Sequence, residues 1–171
     1  MWEHAEVKTF VQKSVGEETM PKSLGDSFLK EHLKLVKLID ENQVYHEVQK
    51  VAMTSHLLAA MQTAHGIGTS AGARLWSASP RVYKVAMKEK ENQWEIVQNG
   101  INSMLLGTSF SNSTATKFRS MARRAFINQF EQSRTNALKH PFAVAFPFLK
   151  KEREVTKRAR ATARQARIKK R

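Results

Sequence analysis

Apolar residues recur at helical spacing along most of this chain, with no sustained stretch in which apolar and polar residues alternate. A helix returns a side chain to one face every three or four positions, and a strand does so every second position. The pattern therefore restricts the chain to an all-α fold. Val7, Phe10, Val11 and Val15 predict a short helix over 2–15. Gly16 to Gly25, with Pro21 inside, reads as a connector, and Asp26 as the N-cap of the next helix. Phe28, Leu29, Leu33, Val36, Leu38 and Ile39 mark an amphipathic helix, and the pattern runs on through Val44, Val48, Val51, Leu58 and Met61. No Gly or Pro interrupts it before Gly66, which favours one long helix over 26–65 against two stacked ones.

Beyond that point glycine and proline set the expected boundaries. Gly66–Ala73 (GIGTSAGA) reads as a flexible break. Ser79-Pro80 is a helix start, with Ser as N-cap and Pro at the first helical position. Val82, Tyr83, Ala86, Met87, Trp94 and Val97 carry that helix to Asn99, where Gly100 suits a C-terminal cap. Residues 101–106 are a short apolar stretch, and Thr108–Thr116 is a polar loop. In a predicted helix over 115–138, Phe118, Met121, Ala122, Ala125, Phe126 and Phe130 form an apolar stripe. Pro141 and Pro147 forbid an interior helix over His140–Leu149, so that segment reads as an extended Pro/Phe strap lying on a hydrophobic surface.

Charge divides the chain more sharply than any motif. The protein has 29 Lys+Arg against 15 Asp+Glu, a net charge of +14. From Lys117 to Arg171 there are 17 basic and 3 acidic residues, whereas residues 1–116 hold 12 of each. All of the excess lies after the polar loop. Three segments follow: a neutral helical body (1–116), a basic amphipathic helix with its strap (117–149), and an Arg/Lys-rich extension (150–171). A cationic segment set apart from a neutral body is the layout expected where one surface meets a polyanion.

The extension KKEREVTKRARATARQARIKKR carries 11 basic and 2 acidic residues, with only Val155 and Ile168 to bury. Its residues are good helix formers that repel one another until phosphates neutralise them. The candidate RNA contacts are Lys117, Arg119, Arg123, Arg124 and Arg134 on the helix. Along the extension they are Lys150, Lys151, Arg153, Lys157, Arg158, Arg160, Arg164, Arg167, Lys169, Lys170 and Arg171. The competing readings are a solvated helix face and a solubilising or import-signal tail. Phe142, Phe146 and Phe148 would stack on bases if exposed. Val144 and Leu149 share their segment, so a protein interface is the better expectation for them.

Other chemistries fit poorly. The absence of cysteine excludes disulfides, thiolate metal sites and thiol nucleophiles, and suits a reducing compartment. No apolar run approaches the ~20 residues of a membrane span. The first ten residues carry Glu3 and Glu6, unlike a secretory signal or an Arg-rich transit peptide. Gly68-Thr-Ser-Ala-Gly72 matches the G-x-S-x-G nucleophile elbow, with Glu89, Glu91 or Glu95 and then His140 in the order of a triad. That elbow needs a strand before Ser70, and a helical pattern precedes it. Gly66-x-Gly68 with Gly72 beyond lacks the strand that a dinucleotide-binding turn requires. His46-Glu47 begins an H-E-x-x-H motif that Lys50 breaks, and His32, His46, His56 and His65 are too widely spaced for a helical metal pair. Asp40-Glu41 reads as solvated helix charge. No cofactor, metal, small-molecule substrate or catalytic role is expected.

In its whole-chain profile (small, cysteine-free, helical, with a basic extension) the sequence resembles a ribosomal protein, particularly a lineage-specific organellar one. The resemblance is of type and carries no motif across. It implies a structural protein of an intracellular, preferentially mitochondrial or other organellar, ribonucleoprotein rather than of the cytosol or nucleus. Its partners would be rRNA and neighbouring proteins. The competing expectations are a subunit of a viral or membrane-associated assembly whose tail meets acidic protein or lipid, and a DNA-compacting protein.

Overall fold

A computed structural model describes residues 1–75, 80–139, 158 and 160–162. Among these the fold is all-α: α1 (His4–Gly16), α2 (Lys22–Glu41), α3 (Glu47–Leu75), α4 (Pro80–Gly107) and α5 (Asn112–Lys139), with no strand. Arg158 and residues 160–162 also have helical backbone, and the Thr162 hydroxyl donates to the Arg158 carbonyl at 2.9 Å. The strap at 140–149, and with it Phe142, Phe146 and Phe148, lies outside the described residues.

The main interface joins α3 to α5. Gly68 lies against Phe130 and Ser133, and Gly72 against Arg134 and Ala137, so the two helices run in the same direction. A Cβ built on Gly68 would sit 2.5 Å from the Phe130 carbonyl oxygen, and one on Gly72 2.5 Å from that of Arg134. Only residues without a side chain allow the backbones this close. Ala60 and Ala64 extend the same small face along α3, fully buried. The antiparallel connection between α3 and α5 is α4, which packs Trp94, Ile101, Met104 and Leu105 onto the pair. On the other side α2 runs antiparallel to α5, with Ser27 bonded to Gln132 at one end and Asn42 to Lys117 at the other. α1 folds back on α2 through Val7 and Val11.

The core is built from one face of each helix. Phe28, Leu35, Ile39, Met53, Leu57, Met61, Phe118, Phe126 and Phe130 are all at most 1% exposed. Burying each such side chain contributes about 1.5–3 kcal/mol. The aromatic stripe of α5 faces inward as its spacing implies, with Met121 at its edge.

Several expected boundaries are corrected. The stretch 26–65 is two helices separated by residues 42–46. α2 ends in a Schellman turn in which Gln43 takes a positive φ of 54°. Val44 N–H then bonds the Ile39 carbonyl and Gln43 N–H that of Asp40, while the Val44 side chain is buried. Asp26 is not a cap, because α2 begins one turn earlier, at Lys22 after Pro21. Gly66–Ala73 is not a break; it is the interior of α3. Gly100 is not a cap either, and the apolar 101–106 forms the last turns of α4. The polar loop shrinks to 108–111, because Ser111 caps α5: its hydroxyl accepts from Thr114 N–H at 3.2 Å.

Candidate nucleic-acid interface

The basic residues of α5 fall into two groups when their neighbours are considered. Arg123 spans to α4, where its Nη2 donates to both oxygens of Glu91 at 3.1 Å and its guanidinium lies 4.9 Å from the Trp94 ring centroid. Arg134 is clamped by Glu131 one turn back, at 2.7 and 3.1 Å. Arg119 donates to Asn102 of α4 at 2.7 Å. These three are half-buried; Arg119 and Arg123 tie α5 to α4, and Arg134 pairs within α5. Lys117 and Arg124 differ. Both are exposed; among the described residues Lys117 bonds only the neutral Asn42 amide oxygen, at 3.2 Å, and Arg124 makes no hydrogen bond or ion pair.

Lys117 and Arg124 share a groove of about 570 Å³ between α2 and α5, lined by Glu31, Lys34, Thr116, Lys117, Ser120, Met121, Arg124 and Asn128. The helical repeat produces this lining. Thr116, Ser120, Arg124 and Asn128 are four apart on α5, so they stack along one exposed stripe. From α2 the groove gains Lys34, whose side chain is 62% exposed and whose Nζ lies 2.8 Å from Glu31. Among the described residues Glu31 is the single acid of the groove, and its side chain is only 12% exposed. Lys34 belongs to the segment whose charges cancel, so net charge does not single it out. Its signal was the run Lys30, Lys34, Lys37 at helical spacing on α2.

In the extension, the described Arg158 and Arg160 are exposed. The remaining candidates (Lys150, Lys151, Arg153, Lys157, Arg164, Arg167, Lys169, Lys170 and Arg171) lie outside the described residues.

Other polar groups are structural in their surroundings. His65 of α3 shares a hydrogen bond of 2.9 Å with the buried Ser133 hydroxyl, to which Gln129 also donates, and burial lowers the His65 pKa. His32 is fully buried on α2, its Nδ1 3.0 Å from that of His4 on α1. Burial first, and the neighbouring His4 second, push its pKa down to about 4. Lys90 of α4 is buried with its ammonium 5.3 Å from the Phe130 ring centroid. Ser70 sits inside the last turns of α3, beside a smaller cavity shared with Val85 and Glu89 of α4, and lacks the strand-to-helix turn of a nucleophile elbow. No cluster of three metal-ligating side chains exists among the described residues, and no described helix is long and apolar enough to cross a membrane.

Comparisons with family models, curated proteins and solved structures return no match for this chain.

Proposed function

We propose that this protein is a non-catalytic, structural RNA-binding subunit of a ribonucleoprotein particle, in the manner of a ribosomal protein, and most consistent with an organellar one. The observation that carries the reading is the segregation of charge: a net +14 confined to residues 117–171 beside a neutral 1–116. The folded body supports it, since a buried core from five helices gives the basic third a rigid mount. Exposed Arg158 and Arg160, together with exposed Lys117 and Arg124, leave cations facing solvent where phosphates would approach.

The mechanism is electrostatic. Each cation that neutralises a phosphate releases a condensed counterion, so log K falls with log[salt] at about −0.7 to −0.9 per contact. Such contacts position a protein on RNA without reading its sequence. The neutral helices would meet neighbouring proteins, and Phe142, Phe146 and Phe148 remain candidates for that interface.

A salt titration of binding to ribosomal RNA is the direct test. Affinity independent of salt would overturn the reading. Nuclease digestion of the native particle separates it from a subunit of a viral or membrane-associated assembly, because a complex that survives intact is held by protein or lipid. Competition between structured RNA and duplex DNA separates it from a DNA-compacting role.

A further inference from the structure

We infer that the α2/α5 groove is a docking site for the sugar–phosphate strand of RNA, with Lys34, Lys117 and Arg124 as its phosphate contacts. The inference rests on the RNA-binding reading and extends it from the basic third onto the face of the neutral body. Three cations from two helices converge on one groove against one acid among the described residues, Glu31, which is itself held by Lys34. The Lys34 side chain is itself 62% exposed beside the largely buried Glu31, so its ammonium can reach a phosphate in the groove while staying near its acid. Arg124 makes no ion pair among the described residues, and Lys117 touches a neutral amide, so both bring full charge. By contrast Arg119, Arg123 and Arg134 of the same helix already have partners.

The remaining groups fit the same occupant. Thr116 and Ser120 supply hydroxyls, and Asn128 an amide, on one stripe with Arg124. Hydroxyls and amides that both donate and accept suit a strand that alternates phosphate oxygens with 2′-hydroxyls. The chain's own extension has 11 basic and 2 acidic residues and is repelled by a cationic groove. Groove and extension therefore act as two separate tracks for one polyanion.

The test uses the full-length protein and a labelled ribosomal RNA fragment, with binding measured across a salt series. The triple variant Lys34→Gln/Lys117→Gln/Arg124→Gln is compared with Arg158→Gln/Arg160→Gln and with the unaltered protein. All three groove side chains are exposed or partly so, and thermal melting confirms that the variant folds. The expected result is that the slope of log K against log[salt] becomes shallower by about 2–3 in the groove variant. A photoreactive residue at Ser120 should cross-link to the RNA, and one at Asn99 on the exposed face of α4 should not. An unchanged slope in the folded groove variant, with the Arg158/Arg160 variant weakened, overturns the groove and leaves the RNA-binding reading standing. Unaltered protein that binds no RNA, or binds it independently of salt, overturns both.

Discussion

Two histidine rings meeting at 3.0 Å, His4 on α1 and His32 on α2, place a titratable contact inside an otherwise apolar seam. His32 has a pKa near 4 in the folded chain against an ordinary 6.5, so between those values the unfolded chain binds more protons. The lowered value means that stability is fully present above pH 6.5 and is lost as the pH falls towards 4. His65 adds to the loss in the same direction. The His32 contribution is on the order of 3 kcal/mol. Urea unfolding at pH 7 and pH 4 should show a drop in stability that His32→Leu reduces and that a substitution at the exposed His46 does not. Leucine suits this buried position because His32 Nε2 has no partner among the described residues, and the Nδ1 contact given up is to His4, which is only half-buried and can turn to water. Arg123 gives a second expectation at this scale. Its ion pair with Glu91 and its position over Trp94 make it a strut of the fold, so Arg123→Gln should cost about 1–2 kcal/mol of stability. The same change should leave the salt slope of RNA binding unaltered.

The glycines of α3 divide by what they face. Gly68→Ala and Gly72→Ala would drive a methyl into α5 backbone and should each destabilise by about 1–3 kcal/mol. Gly66 meets nothing within 4 Å, so Gly66→Ala should stabilise by about 1 kcal/mol through helix propensity alone. Thermal melting of the three single variants distinguishes close packing from a flexible hinge. These residues also explain what was legible from residue order. Helical periodicity identified the all-α fold and the inward stripe of α5, because it records which side chains face the core. Helix ends are less legible, since glycine in a sequence resembles punctuation. Gly66, Gly68, Gly72 and Gly100 lie inside helices, while Glu18, Gln43 and Ser109 take the positive φ angles beside the ends of α1, α2 and α4. A long residue in that conformation costs ~1 kcal/mol, and tertiary contacts such as the buried Val44 outweigh it. For the same reason Gln43→Gly should stabilise by about 1 kcal/mol, read from the denaturation midpoint. For the site, the α5 cations were visible in the sequence but their pairing was not. Glu91, Asn102 and Lys34 come to them from other helices, and one-dimensional spacing does not record that.

For the whole molecule, the core and the charge overlap only in α5. The core draws on all five helices, whereas net charge is concentrated at one end of the sequence. Changes to the extension should therefore affect binding without affecting folding. Replacing Arg158, Arg160, Arg164 and Arg167 with Gln should leave the melting temperature unchanged. It should make the salt slope of RNA binding shallower by about 0.7–0.9 for each cation that touches a phosphate. A fall in melting temperature would show instead that the extension is part of the folded core.

The parallel pairing of α3 with α5 has a kinetic consequence. Gly68 meets Phe130 and Ser133, so the largest interface closes a loop of roughly sixty residues, with α4 making the return journey inside it. Helical proteins built from sequential neighbours fold quickly because their contacts are local; here the decisive contact is remote, and refolding should be slow for an all-helical chain. On the ribosome, the glycine–alanine face of α3 must wait uncovered until the final third of the polypeptide has emerged. Nascent chains stalled at residue 111 should be protease-sensitive throughout α3, and those extended past α5 resistant.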